Sequence, residues 1–330
     1  MGAVVVWAGV VWAGVAAWGL WAGLRLAGAD RLPGLGAPSA PLLAFTPYAA
    51  AAAPLPVLVA LVLRRWWAAV AATAIAAALT AAVLPRAVAG GGPAARGPVV
   101  RVLTANLLLG QADPARIVDL VRRYGVDGLS LQELTPEARD RLERAGLARL
   151  LPRKVVDARW GAAGSGIYSR HPLRALPSPP GMSMASPQAE VTLPGGRRVA
   201  VTAVHPVPPL SAEEFRQWRR DLAGLPAAAT AAQSGGTGPD DASAPVRILA
   251  GDFNATLDHA TLRHLIERGY ADAADRAGAG LVPTWGLRSA RPPLAIDHVL
   301  VDERCAVRRV TVHDLPGSDH RSVYAEIRLP

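Results

Sequence analysis

Eight polar side chains stand where apolar runs stop: Asn106, Glu133, His205, Asp252, Asn254, Asp297, Asp319 and His320. The sharpest case is Arg247-Ile-Leu-Ala-Gly-Asp-Phe-Asn, in which a strand-like run breaks at Gly251 and leaves an acid and an amide two residues apart. Alternation along extended backbone puts Asp252 and Asn254 on one face and sends Phe253 into the core. A carboxylate and an amide so placed can hold a metal-bound oxygen or a phosphate oxygen. Gly, Asp and Asn also favour turns, so this stretch alone fits a plain turn equally well. The other polar ends decide between the two.

The set is rich in hard oxygen donors. A Gly-rich phosphate loop, a serine nucleophile elbow and a His-Glu-x-x-His zinc helix are all missing from the sequence. Oxygen donors suit Mg²⁺ or Mn²⁺, which keep several waters and share substrate phosphate oxygens. Phosphate ester hydrolysis needs neutralised phosphoryl charge, an in-line water and a base for that water. Glu133 is the best single metal carboxylate. His320 is the natural base, with Asp297 holding its imidazole in one tautomer. His205 can serve as acid toward the leaving oxygen or bind phosphate. Asn106 and Asn254 can orient phosphate without adding negative charge.

The elements that must carry these groups follow from residue 99 onward. The run 99–106 reads as a buried strand ending in Asn106, and 128–134 as a short strand with Glu133 at its exit. Residues 188–205 form a hairpin with a Pro-Gly-Gly turn, ending in His205. The run 295–301 is a strand carrying Asp297, and Asp319 and His320 occupy a turn before the last strand. Between them, Asp113-Pro, Thr135-Pro136 and the Ser211-x-x-Glu capping box open helices. His171 is expected in a turn, and His259 and His264 at the surface of a helix over about 258–269. Residues 226–245, poor in bulky apolar groups, read as a flexible loop.

The first 88 residues have a different composition. Residues 1–96 carry six Arg and one acid, net +5, which leaves 29 basic and 25 acidic residues, net +4, for the rest of the total of +9. That small excess over 234 residues gives little support to a nucleic-acid surface. The single Cys305 excludes an intrachain disulfide and a multi-cysteine zinc site. Apolar runs at about 3–24, 41–63 and 66–83 are each long enough to cross ~30 Å of hydrocarbon. Three transmembrane helices over 1–88 are therefore expected, followed by a Gly/Pro linker at 89–98 that leaves the domain 99–330 close to the bilayer at no fixed angle. The tight Arg64-Arg65 loop is expected on the cytoplasmic side, which makes this a multi-pass cell-membrane protein with residues 99–330 extracytoplasmic.

The ordered set Thr-Ala-Asn106, Gln-Glu133, Val-His205, Gly-Asp252-Phe-Asn254, Ile-Asp297-His and Ser-Asp319-His320 resembles the endonuclease/exonuclease/phosphatase superfamily over about residues 99–330. That superfamily includes pancreatic-type DNases, abasic-site endonucleases, inositol polyphosphate 5-phosphatases and sphingomyelinases. The resemblance implies an α/β fold, a two-layer β-sandwich flanked by helices (DNase I-like), with the site at one end of the sheets. It implies that Glu133 takes the metal, Asp252 the metal-bound or nucleophilic water, and Asn106 and Asn254 the phosphate. His205 and His320 then flank the scissile phosphate, Asp297 pairs with His320, and Asp319 is a further metal or orienting residue. The domain lacks long basic and aromatic insertions for gripping duplex DNA. With its anchor, the chain resembles the actinobacterial membrane phosphatases linked to teicoplanin resistance, the VanJ type. That resemblance implies a lipid-linked phosphate substrate such as undecaprenyl pyrophosphate, hydrolysed on the outer face beside the membrane lipid. The alternative is an anchored extracellular nuclease or phosphodiesterase acting on nucleic acid.

Overall fold

The computed structural model describes residues 2–228, 245–287 and 292–330, with side chains from residue 9 onward. The stretch 226–245, expected as a loop, falls mostly on 229–244, outside the described residues.

Apolar alternation builds two stacked sheets. One contains β1 (Val99–Asn106), β2 (Gly128–Gln132), β3 (Arg153–Asp157), β4 (Ser165–Ser169), β11 (Ala306–Asp314) and β12 (Arg321–Arg328). The other contains β5 (Leu173–Leu176), β6 (Gln188–Thr192), β7 (Arg198–Val204), β8 (Val246–Asp252), β9 (Tyr270–Asp272) and β10 (Asp297–Asp302). Their orders are β11-β12-β1-β2-β4-β3 and β5-β6-β7-β8-β10-β9. Each has one parallel pair near its centre, β1 with β2 and β7 with β8, and antiparallel neighbours elsewhere.

Period-two burial sorts the side chains. Val100 and Val102 of β1, Val199 and Val201 of β7, Ile248 and Ala250 of β8, and Val299 and Val301 of β10 form one cluster between the sheets. The alternate residues Leu103 and Ala105 face the helices Pro114–Tyr124 and Pro136–Arg144. Leu249, Phe253 and Leu300 face Trp218 of the helix Ala212–Gly224. Asp113, Thr135 and Ser211 cap their helices through side-chain oxygens, as their positions predict. The result is the expected helix-flanked two-layer sandwich.

The N-terminal third is helical throughout. The helices Gly2–Leu26 and Trp66–Val83 contain segments, Gly9–Leu26 and Trp66–Ala87, long and apolar enough to cross a membrane. The middle run departs from the expected single span. It is split into Gly36–Leu43, Thr46–Ala52 and Pro54–Val62, with a 61° bend between the first piece and the rest. Pro41 lies inside the first piece, and Pro47 and Pro54 start the next two, so the backbone bonding of a straight helix is interrupted there. The three-span count holds only if this bent pair is one span.

The first piece packs on the layer that holds Trp218 and Phe253. Ala40 is fully buried in the cluster with Trp218 and Phe253, and a Cβ on Gly36 would lie 2.5 Å from the Phe215 ring. Small residues at 36, 37 and 40 let the helix approach that closely. Polar ties fix the arrangement. Asp258 accepts from Arg25 Nε at 2.6 Å and from Arg86 Nη1 and Nη2 at 2.8 and 2.7 Å. Asp30 accepts from the amides of Ala260 and Thr261, at the start of the helix Ala260–Ile266, at 2.9 and 2.8 Å. Within 89–98, Ala89 bridges to Ala277 and Gly90 donates to the Arg276 carbonyl. These contacts join the domain to the apolar helices, and composition alone gives no sign of them.

Candidate active site

The polar ends of the inward-facing rows meet at one end of the sandwich. Asn106 continues the row Val100, Val102 and Thr104, and Asp252 continues Ile248 and Ala250. Consequently Asn106 Nδ2 donates to Asp252 Oδ2 at 3.1 Å across the two sheets, and to Glu133 Oε1 at 3.1 Å. His205 follows Val201 and Ala203 in the same way, and its Nε2 lies 3.8 Å from Asp252 Oδ2 and 3.9 Å from Glu133 Oε1.

Two of the groups reach the site from strand entries, His320 as its place before the last strand requires. Asp297 is the first residue of β10, and His320 immediately precedes β12; neither is at a strand exit. The cause is antiparallel pairing. β10 runs against β8 with Asp297 opposite Asp252, so an entry end and an exit end coincide. His320 Nδ1 is 2.9 Å from Asp297 Oδ2, and its Nε2 is 3.7 Å from Asp252 Oδ2.

Backbone strain marks the same place. Glu133, Asn254, Leu108 and Leu109 all have positive φ, at 55°, 48°, 45° and 52°. Such conformations cost ~1–2 kcal/mol for a residue with a Cβ. At Glu133 the twist turns the side chain inward, where simple alternation after Gln132 would send it outward. Glu133 Oε2 then accepts the Leu109 amide at 2.6 Å, and Asn106 Oδ1 accepts the Leu108 amide at 3.0 Å. At Asn254 the twist brings its amide to the Pro206 carbonyl at 3.0 Å, while its own N–H donates to Asp252 Oδ1 at 2.8 Å. Phe253 is fully buried on the far side, as alternation requires. Gly251 is dictated by packing, because a Cβ there would lie 1.9 Å from the Val204 carbonyl oxygen of the parallel neighbour.

Burial sets the proton affinities. At His320 it disfavours the charged ring, but Asp297 and Asp252 outweigh it and push the pKa up to about 10. At His205 burial dominates, only partly offset by Asp252, and the pKa lies below its ordinary value. Asp252 is pushed up by burial despite the neighbouring His320. The two histidines are therefore shifted in opposite directions by their surroundings.

All eight residues singled out in the sequence lie at this end of the sandwich. Asp319 is placed by Trp285, whose Nε1 donates to its Oδ2 at 2.9 Å, and its Oδ1 is 3.9 Å from His320 Nε2. Trp285, the Leu108 and Leu109 amides, and Thr284, which accepts the Asp297 amide, are additions that local sequence did not expose. His171 is a turn residue against Asp127, and His264 is exposed, both as expected. His259 is not at the surface. It is buried, with Nε2 2.8 Å from the Ala40 carbonyl and Nδ1 accepting the Thr256 amide, because the bent N-terminal helix covers it.

The residues fit a cation on two observations. Four carboxylates converge here, and among the described residues lining the cavity there is no Arg or Lys to balance them. Asp297 Oδ1 and Asp319 Oδ1 are buried without a hydrogen-bond donor. Among the described residues one acid and histidine group, Asp252, Asp297 and His320, has ligand atoms within 4.8 Å of one another. Asp297 Oδ2 holds the His320 ring, and each oxygen of Glu133 and Asp252 accepts one hydrogen bond, which leaves each a second lone pair.

The cluster opens into a cavity of about 440 Å³. Its remaining wall is apolar, with Met184, Pro208, Leu210 and Leu294 from the domain and Ala40, Pro41, Ala44 and Phe45 from the bent N-terminal segment.

Solved structures share this architecture. An endonuclease/exonuclease/phosphatase from Beutenbergia cavernae is 21% identical, with TM-score 0.51 over 70% of this chain and 72% of its own. TDP2 from D. rerio, complexed with a single-strand DNA product, is 17% identical, with TM-score 0.50 over 69% and 98%. TDP2 from C. elegans is 16% identical, with TM-score 0.50 over 78% and 81%. These identities establish a shared fold. No curated protein matches the chain at a significant level. The Endonuclease/Exonuclease/phosphatase family profile matches residues 103–320, from the middle of β1 to His320, and so spans every element that carries the site. The chain belongs to that family, whose members hydrolyse phosphate and phosphodiester bonds.

Proposed function

We propose that this protein is a membrane-tethered, metal-dependent phosphohydrolase whose substrate is a phosphate or pyrophosphate carried on a hydrocarbon chain, such as undecaprenyl pyrophosphate. The observation that carries the reading is the composition of the cavity, with carboxylates and histidines at one end and apolar residues, some from the N-terminal helices, around the rest. A phosphate group fits the first part once its charge is balanced, and a hydrocarbon fits the second. A nucleic-acid backbone would find no Arg or Lys among the described residues of that lining. Positive charge around Arg64 and Arg65 supports an outward-facing domain.

Glu133, Asp252 and Asp319 would hold a divalent cation, Mg²⁺ or Mn²⁺. When bound, it neutralises phosphoryl oxygens and offsets the carboxylate charge that keeps His320 protonated. His320, neutral and fixed through Nδ1 by Asp297, takes the proton of an attacking water at Nε2. Water adds its oxygen to phosphorus while the bond to the leaving oxygen breaks. His205, whose proton affinity burial lowers, is suited to the phosphate-binding role by hydrogen bonding, and the leaving oxygen takes its proton from solvent. Asn106 spans Glu133 and Asp252 and keeps the two carboxylates apart at fixed distance. Asn254 faces the same cavity and orients phosphate.

The test is phosphate release from undecaprenyl pyrophosphate by the full-length protein in detergent, with Mg²⁺ or Mn²⁺. Release supports the reading. No release, together with digestion of plasmid or oligonucleotide DNA, would assign an anchored nuclease.

A further inference from the structure

A second cavity of about 260 Å³ adjoins the catalytic one, sharing Ala44 and Leu294 as a common wall. Its apolar lining includes Pro47, Tyr48 and Ala51 from the bent N-terminal segment and Leu257, Leu281 and Pro293 from the domain. The charged pair in its wall, Arg86 and Asp258, is mutually neutralised at 2.7 Å. The volume is far beyond the ~10–15 Å³ that admits one water, and the polar side chains in the lining, Tyr48, Arg86, Thr256 and Asp258, are hydrogen-bonded within the protein. The two cavities thus lie side by side, with Ala44 and Leu294 between them.

The bend makes that space. A straight second span would carry Pro47, Tyr48 and Ala51 away from the domain. Proline interruptions give the 61° turn, and the turn is fixed from both sides. Ala40 O meets His259 Nε2 at 2.8 Å, and Tyr48 Oη donates to the Pro293 carbonyl at 2.7 Å. Beyond the turn, the helix Pro54–Val62 exposes Leu55, Leu58, Val59 and Val62, a surface suited to hydrocarbon.

We propose that the second cavity is a hydrocarbon-chain subsite, in which the first isoprenoid or alkyl segment of the substrate lies between the anchor and the domain. The anchor then supplies part of the substrate site and selects for chain-bearing phosphates. Ala44 and Leu294 form the neck through which the chain passes, and Ala51 marks its far end. This rests on the phosphohydrolase reading for the head group at the catalytic end.

The experiment compares prenyl pyrophosphates of five, ten and fifteen carbons with detergent-solubilised full-length protein. In the wild type, kcat/KM should rise at least tenfold from five to fifteen carbons. Ala44→Leu at the neck and Ala51→Trp at the far end should each cut that ratio about tenfold. Ala51 is exposed, so its variant guards against misfolding of the buried-site variant. Unchanged ratios in both variants would overturn the subsite. A diazirine-bearing prenyl phosphate gives an independent reading without turnover. It should label residues 44–51, with competition by unlabelled prenyl phosphate and not by phosphatidylglycerol. Labelling elsewhere, or equal displacement by the phospholipid, would overturn the proposal. If labelling is as stated but no substrate is hydrolysed, the catalytic reading fails and the chain subsite stands.

Discussion

Asp258→Asn tests whether the anchor and the domain are locked together. The carboxylate takes three hydrogen bonds from two guanidinium groups, Arg25 and Arg86, whose side chains are 9% and 8% exposed. Asparagine keeps the shape and removes the charge, which leaves two buried cations facing a neutral carbonyl. Breaking a buried ion pair from one side costs ~3–5 kcal/mol, and this one serves two partners. At ~2–4 °C per kcal/mol for a chain of this size, the thermal midpoint should fall by roughly 6–20 °C. The assay is thermal unfolding in detergent, with limited proteolysis of 89–98 as a local report on undocking. Arg25→Met/Arg86→Met/Asp258→Leu should recover most of the loss, because an apolar replacement of a buried ionic cluster is often neutral. The pH dependence has a defined sign. Burial raises Asp258, but Arg86 and Arg25 outweigh it, so its folded pKa lies below the usual carboxylate value. A depressed carboxylate contributes stability that is complete above the unfolded pKa of ~3.9 and fades as pH falls through the lower folded value. The wild type minus Asp258→Asn difference should thus be constant from neutral pH to about 5 and shrink below 4. A variant within ~0.5 kcal/mol of wild type, with no new cleavage at 89–98, would refute the docking argument.

Other perturbations read the site itself. Asp297→Asn removes the group that most favours the His320 imidazolium. Because the folded pKa is raised, the metal-free wild type should be stabilised relative to the variant below pH ~6.5, and lose that advantage as pH rises toward about 10; a difference that grows with pH would contradict the pairing. Gly251→Ala forces a Cβ to 1.9 Å from the Val204 carbonyl, so β7 and β8 must part. Its cost should reach or exceed the upper end of the ~1–3 kcal/mol typical of overpacking, visible as a lower thermal midpoint in detergent; wild-type stability would refute the close approach. Trp285→Phe deletes the donor that holds Asp319 and should weaken divalent-cation dependence ~10–100-fold in a metal titration of activity, with an unchanged titration counting against Asp319 as a ligand.

The sandwich and its polar end were legible because both depend on local pattern. Alternation in Val99–Asn106 and Val246–Asp252 decides which side chains face between the sheets, and therefore which face Asn106 and Asp252 share. Direction along the strand is a different matter. Asp297 meets Asp252 because β10 runs antiparallel to β8, and pairing direction leaves no trace in a single run. Trp285 was hidden for a similar reason, since its partner Asp319 lies 34 residues away. The largest departure is in the anchor. Apolar composition in 41–63 carries no sign of the 61° bend, nor of the contacts that Ala40, Phe45 and Tyr48 make with the domain. His259 followed the same course, exposed by its own helix and buried by the segment that crosses it.

The most direct test of the account is metal-dependent phosphate release by purified full-length wild type and Glu133→Gln, with undecaprenyl pyrophosphate as substrate. Glu133 is the carboxylate the backbone is strained to present, and the substitution keeps its shape while removing its charge. The account predicts release with Mg²⁺ or Mn²⁺, loss on chelation, and at least a ~10²-fold fall in Glu133→Gln in a protein that unfolds like wild type. Equal release by the variant, or release indifferent to chelation, would contradict it.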